Sequence, residues 1–220
     1  MWKVQPEALK GALICITNRT LCQNDFLQRI KETAAQHPAA VVLREKDVPE
    51  AQYRALAEPV LALCRAQNVP CILHTFVPVA LALEPDGFHA PLPVLRQMTE
   101  AQKARFPQLG TSCHSPEDVQ LAQELGCTYV FAGHIFDTDC KKGLPGRGLS
   151  FLQAACQQTS LPVYAIGGID AQRLPAVRQT GAAGACVMSG GMQCPDPTAY
   201  WSALKDAWDH STDISEREIL

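Results

Sequence analysis

Short runs of apolar and β-branched residues recur along the chain, and most segments between them space their apolar residues three and four apart. The runs ALICIT (12–17), AVVLRE (40–45), PCILH (70–74), DGFHA (86–90), LGTSC (109–113), TYVFAG (128–133), PVYAIG (162–167) and GACVMS (184–189) predict eight strands separated by helices. Two helix starts are explicit. In HSPEDVQLAQELG, Ser115 caps, Pro116 takes the first helical position, Asp118 completes a capping box and Gly126 stops the helix. In DAQRLPAVRQTGA, Asp170 caps and Gly181 terminates, with Pro175 set to bend the helix or shorten its first turn. Eight βα units in 220 residues fit a compact (β/α)8 TIM barrel of α/β class, a doubly wound open sheet being the alternative. No linker breaks the pattern, so residues 1–220 read as one domain, with 209–220 (DHSTDISEREIL) as a loosely held tail.

A barrel of this kind does its chemistry where the strands end, because loops there vary while the strands hold them in place. Strands seven and eight end in AIGGID and VMSGG. Two glycine pairs, Gly167 with Gly168 and Gly190 with Gly191, let backbone N–H groups approach a phosphate, although one such pair alone would be read as a tight turn. Arg44 and Lys46 flank Glu45 at the end of strand two, and alternation points both cations to one face. They either bind a second acidic group or are neutralised by Glu45 and Asp47.

His134 follows strand six and precedes the loop HIFDTDCKKGLPGRGLS, which offers Lys141, Lys142 and Arg147 to an anion and carries glycines able to hinge a lid. An imidazole with a pKa of about 6.5 both takes and gives protons near neutrality. A lone histidine is more often structural, so the loop is what raises this one. His114 either closes its helix or touches a ligand. His74 and His89 lack the adjacent carboxylates of a metal centre, GLPGRG lacks the spacing of a nucleotide loop, and no GxSxG nucleophile occurs.

The formal net charge of −3 and pI near 6.1 give no field to attract nucleic acid or an anionic membrane, so an anionic partner must be a small molecule. Ten cysteines are scattered beside apolar runs without a CxxC pair, which reads as small buried hydrophobes in a reducing, cytoplasmic compartment. The N-terminal apolar run of five residues is too short for a signal or a span.

The segments LREKD, GTSCHS, GHIFDTDCKKGLPGRG, YAIGGI and GACVMSGG occur in an order that resembles the thiamine phosphate synthase superfamily, nearest its TenI branch, over residues 12–200. The resemblance implies a barrel acting on a phosphorylated thiazole, the TenI branch being thiazole tautomerases that aromatise a carboxythiazole phosphate. It assigns the phosphate to Gly167, Gly168, Met188, Ser189 and Gly190, proton transfer to His134, and substrate contacts to Arg44, Lys46, Ser112, Thr138 and Lys142. The chain departs from the synthase motif where that motif holds a pyrimidine pyrophosphate and magnesium. Val42 replaces a glutamine, His74 and Thr75 an Asn-Asp pair, and HAPLP (89–93) contains no acidic residue. No metal and no cofactor is therefore implied. A tautomerase is the first expectation; a thiamine phosphate synthase with a degenerate metal site and a non-catalytic thiazole-phosphate-binding regulator are the alternatives. The fold also admits a homodimer through an apolar helix face.

Overall fold

A computed structural model of the chain describes residues 12–141 and 143–210. Eight strands, β1 (Ala12–Ile16), β2 (Ala40–Leu43), β3 (Cys71–His74), β4 (Gly87–His89), β5 (Leu109–Cys113), β6 (Tyr129–Gly133), β7 (Val163–Ile166) and β8 (Gly184–Val187), form one closed parallel barrel in sequence order. Pairing of β1 with β8, from Ala12 opposite Gly184 to Cys15 opposite Val187, closes the sheet and excludes the open alternative.

The connections carry α1 (Phe26–Ala34), α2 (Glu50–Ala66), α3 (Val77–Leu83), α4 (Leu92–Gln97), α5 (Glu100–Lys103) and α6 (Pro116–Glu124) through the first half and into the sixth strand. The second half adds α7 (Gly148–Gln158), α8 (Leu174–Gln179), α9 (Ser189–Gln193) and α10 (Pro197–Asp209). None of these helices is long and apolar enough to cross a membrane among the described residues.

Alternation sorts the apolar residues into two layers. Ile14, Ile16, Val42, Ile72, Tyr129, Phe131, Tyr164 and Cys186 fill the barrel interior. Leu13, Cys15, Val41, Leu43, Cys71, Leu73, Val130, Ala132, Val163 and Ala165 point outward and pack under the helices. The nine cysteines described as free thiols follow the same logic: seven are buried, and only Cys22 and Cys156 are partly exposed.

Two local expectations are corrected. Ser115 caps α6 and Pro116 stands in its first turn, but the Asp118 carboxylate takes the N–H of His114 at 2.7 Å and so braces the preceding residue. Asp170 caps only a turn, accepting from Arg173 N at 2.9 Å, and α8 begins later, so that Pro175 lies in its first turn where no N–H is needed. Asp209 is the last residue of α10, and the His210 ring bonds Asp206 O at 2.8 Å; residues 211–220 of the expected tail lie outside the described residues.

Candidate active site

The barrel mouth opens into a cavity of about 550 Å³ at the C-terminal ends of the strands. Its floor is the inward apolar set, Ile16, Val42, Phe131, Ile166 and Cys186. Continuing the same parity outward along each strand brings Arg44 and Lys46 in above Val42, His74 above Ile72, His89 from β4, Ser112 from β5 with His114 just past its end, and Met188 above Cys186. His134, Thr138, Gly167 and Ser189 complete the wall together with Arg96, Asp118 and Lys141.

The two readings of Arg44 and Lys46 are resolved by the residue between them. Glu45 is 2% exposed and turned away, accepting from Thr17 Oγ1 at 2.7 Å and from Arg19 N at 3.1 Å. Asp47 pairs with Arg19 at 2.6 Å. Both carboxylates are thus engaged by Arg19, and both cations face the cavity. Burial lowers the Lys46 pKa from its usual value, with Arg44 and Lys141 adding repulsion. Against Arg44, Lys46, Arg96 and Lys141, the described lining offers one carboxylate, Asp118, so the field favours an anion.

Four histidines line the cavity, each with its own hydrogen-bond partners. His134 is 7% exposed, and its Nε2 lies 3.1 Å from Leu144 O. A carbonyl only accepts, so Nε2 carries a proton, and it is Nδ1 that holds the lone pair whenever the ring is neutral. His114 Nδ1 donates to Gly133 O at 2.5 Å, and Arg147 Nε donates to the same oxygen at 3.1 Å. The Gly133–His134 peptide is cis. His74 bonds the Thr75 hydroxyl, and its ring stacks 5.3 Å from His89. His89 bonds Tyr129 Oη at 3.2 Å and Ser112 Oγ at 3.0 Å. Burial, then the charges of Lys46 and Arg44, drives its pKa down to about 3; burial foremost also pulls His74 well below its ordinary value.

The loop after His134 is a tied wall. Arg147 N bonds His134 O and Gly148 N bonds Ile135 O, each at 2.9 Å, and Asp137 Oδ1 accepts from Gly146 N at 2.7 Å. Arg147 therefore holds the loop base, where the sequence had offered it to an anion. Lys142 lies outside the described residues.

A second, shallower cavity adjoins the first and shares Thr138, Lys141, Ile169 and Ser189 with it. Gly168 and Gly190 line this outer part, while Gly167 and Met188 line the inner one. The glycines have packing reasons of their own. Gly167 has φ +99° and a side chain there would meet His134 Cβ; at Gly168, φ +65°, it would meet Asp137 O at 2.7 Å. At Gly190 it would meet the Tyr200 hydroxyl.

All the expected side chains except Lys142 are thus brought to one mouth or its rim. The sequence assigned no role to His74, His89, Tyr129 or the Leu144 carbonyl. For the first two, strand parity was a usable signal; for the last two, no spacing announces contacts made across strands or within a loop. Magnesium, which the synthase motif would hold, does not fit here. The matching positions offer imidazoles, the neutral Thr75 hydroxyl and apolar groups in place of charged oxygen ligands, and burial together with the charges of Lys46 and Arg44, which lowers the pKa of His74 and His89, makes this a spot that disfavours positive charge. Among the described residues, no group of three or more His, Cys, Asp and Glu side chains could hold a metal ion.

The family model described as thiamine monophosphate synthase, TMP-TENI, matches residues 13–190. The thiamine-phosphate synthase of Roseiflexus castenholzii is 36% identical over 204 residues, covering 90% of this chain and 88% of that protein. That of Syntrophomonas wolfei is 29% identical over 207 residues, covering 91% and 97%. The structure of a thiamine phosphate pyrophosphorylase from Pyrococcus furiosus superposes with a TM-score of 0.78 at 24% identity, covering 91% of this chain and 96% of that one, a likeness of fold.

Proposed function

Because the chain belongs to the thiamine monophosphate synthase (TMP-TENI) family, we propose that it binds a phosphorylated thiazole and moves protons on that ring, as a thiazole tautomerase. The observation that carries this reading is His134, seated in the cavity with Nε2 committed to Leu144 O, an arrangement that makes Nδ1 the base of the neutral ring. The ring would lie in the inner cavity, with its carboxylate toward Arg44 and Lys46, where a guanidinium can bind through two parallel hydrogen bonds. The phosphate would reach the outer cavity at Gly168, in the loop after β7, and at Ser189 and Gly190, whose first-turn N–H groups in α9 have no partner within the helix.

Nδ1 takes the proton from ring C2, the electron pair moves through the ring to the exocyclic double bond, and the imidazolium returns a proton to the exocyclic carbon. The product is aromatic, so placement and acid/base help supply what the reaction needs. No step is routed through a metal, since the residues present do not suit one.

The test follows aromatisation of the non-aromatic carboxythiazole phosphate by ultraviolet absorbance. Wild type should exceed buffer, and His134→Gln should lose about 10²- to 10⁴-fold, the usual worth of a general base. Equal rates for wild type, variant and buffer would sink the reading. The names of the relatives favour a second one, thiamine phosphate synthesis. Magnesium-dependent release of pyrophosphate from the pyrimidine pyrophosphate, in the presence of thiazole phosphate, would support it against the first. Tight binding of thiazole phosphate with neither turnover would instead mark a regulator.

A further inference from the structure

Three polar side chains in the barrel interior are linked in a line: the Tyr129 hydroxyl, the His89 ring and the Ser112 hydroxyl. Tyr129 is 3% exposed and His89 1%, while Ser112 is partly exposed at the cavity wall. Gly110 makes the line possible, because any side chain there would collide with the Tyr129 ring one strand away.

Two proton arrangements satisfy the distances, and they differ in what they leave unpaired. If Ser112 donated to Nε2, then Nδ1–H would donate to Tyr129 Oη, and the tyrosine hydrogen would be buried without an acceptor. In the other arrangement Tyr129 donates to Nδ1, Nε2–H donates to Ser112 Oγ, and every buried donor is used. His89 is neutral under burial, as either arrangement requires, and burial likewise keeps Tyr129 protonated.

We propose that Tyr129 and His89 are positioning residues that fill the acceptor side of Ser112 and turn its hydrogen into the cavity, making Ser112 a fixed donor to an oxygen of the ligand's carboxylate. This rests on the reading of the cavity as a thiazole phosphate site. Arg44 and Lys46 line the same cavity, so the carboxylate would meet cations and one oriented hydroxyl, a combination that rejects ligands presenting an N–H there.

Two measurements test it. Imidazole ¹⁵N spectra of the ligand-free protein should show His89 as the Nε2–H tautomer from pH 5.5 to 8; an Nδ1–H or doubly protonated ring overturns the arrangement, whatever the ligand. Calorimetric binding then compares aromatic carboxythiazole ethyl phosphate with its decarboxylated counterpart. Ser112→Ala and Tyr129→Phe should each weaken the carboxylated ligand by about tenfold and leave the other within about twofold. The double variant should be no worse than Ser112→Ala alone. Equal losses for both ligands, or losses that multiply in the double variant, overturn the proposal. A wild type that binds neither ligand, with the tautomer as stated, instead removes the thiazole reading and the carboxylate role with it.

Discussion

Gly167 is under two constraints at once: its φ of +99° lies where side chains are disfavoured, and its missing Cβ leaves the space that His134 Cβ occupies. Gly167→Ala should therefore act on the histidine before it acts on phosphate. The expected outcome is a folded protein about 2–4 kcal/mol less stable, from the strained backbone and the overlap together. Its aromatisation rate should drop with kcat, to within about tenfold of His134→Gln, while KM changes little. Denaturant unfolding and steady-state kinetics would check both halves; a large rise in KM with kcat unchanged would show the glycine serving the phosphate instead. The case also shows how far a residue type can be read. Paired glycines at two strand ends marked a place of close approach in the sequence, and close approach is what the structure has. What approaches, at Gly167 and Gly168, is the protein's own β6 loop, a partner about thirty residues back in the chain that no local pattern names.

At the scale of elements, the site was legible because a barrel strand keeps its two-residue period up to the rim. Arg44, Lys46, His74, His89 and Ser112 have the parity of the buried residues below them, which the alternating pattern of β2 to β5 already contained. Less legible were the pairings that decide what those side chains do. Glu45 and Asp47 stand beside Arg44 and Lys46 in sequence, yet both are taken by Arg19 from the loop after β1, through contacts 26 to 28 residues apart. The result is a strand end with repulsion on its cavity side, since Arg44 and Lys141 both press on the partly buried Lys46. A multivalent anion should relieve that repulsion. Inorganic phosphate should raise the melting temperature by about 2–4 °C over sodium chloride of equal ionic strength, the shift expected for stabilisation of about 1 kcal/mol. Lys46→Met should be more stable than wild type in chloride and should lose most of the phosphate increment. Identical melting of the two proteins in both salts would mean that this cluster holds no anion. Because Lys46 gives up its proton more easily than usual, the phosphate increment should also fade as pH rises through the lysine's lowered pKa.

For the whole molecule, burying titratable groups inside and around one barrel gives a stability curve that falls on both sides of neutrality. On the acid side, His74 and His89 are neutral in the fold and protonate near pH 6.5 in the unfolded chain, with the folded His89 holding out to about 3. Between those values the unfolded state binds more protons, so stability is complete above about pH 6.5 and is lost as pH falls. Glu45, whose pKa is raised chiefly by burial, works the other way just above its ordinary value and offsets part of the loss. On the alkaline side the buried thiols set the limit. Cys113 and Cys127 are pushed up to about 12 by burial, and Cys15 and Cys186 are also raised, so above about pH 9 the unfolded chain releases protons that the fold retains. Urea unfolding under reducing conditions should show slopes approaching about 1.4 kcal/mol per pH unit for each group that titrates only in the unfolded state. His89→Gln, which keeps a buried polar side chain but no titration, should flatten the limb between pH 6.5 and 5 by up to that amount for the one histidine, and leave the limb above pH 9 as it was. An acid limb equally steep in wild type and variant would mean that His89 carries its proton inside the barrel, and the orientation of Ser112 would fail with it.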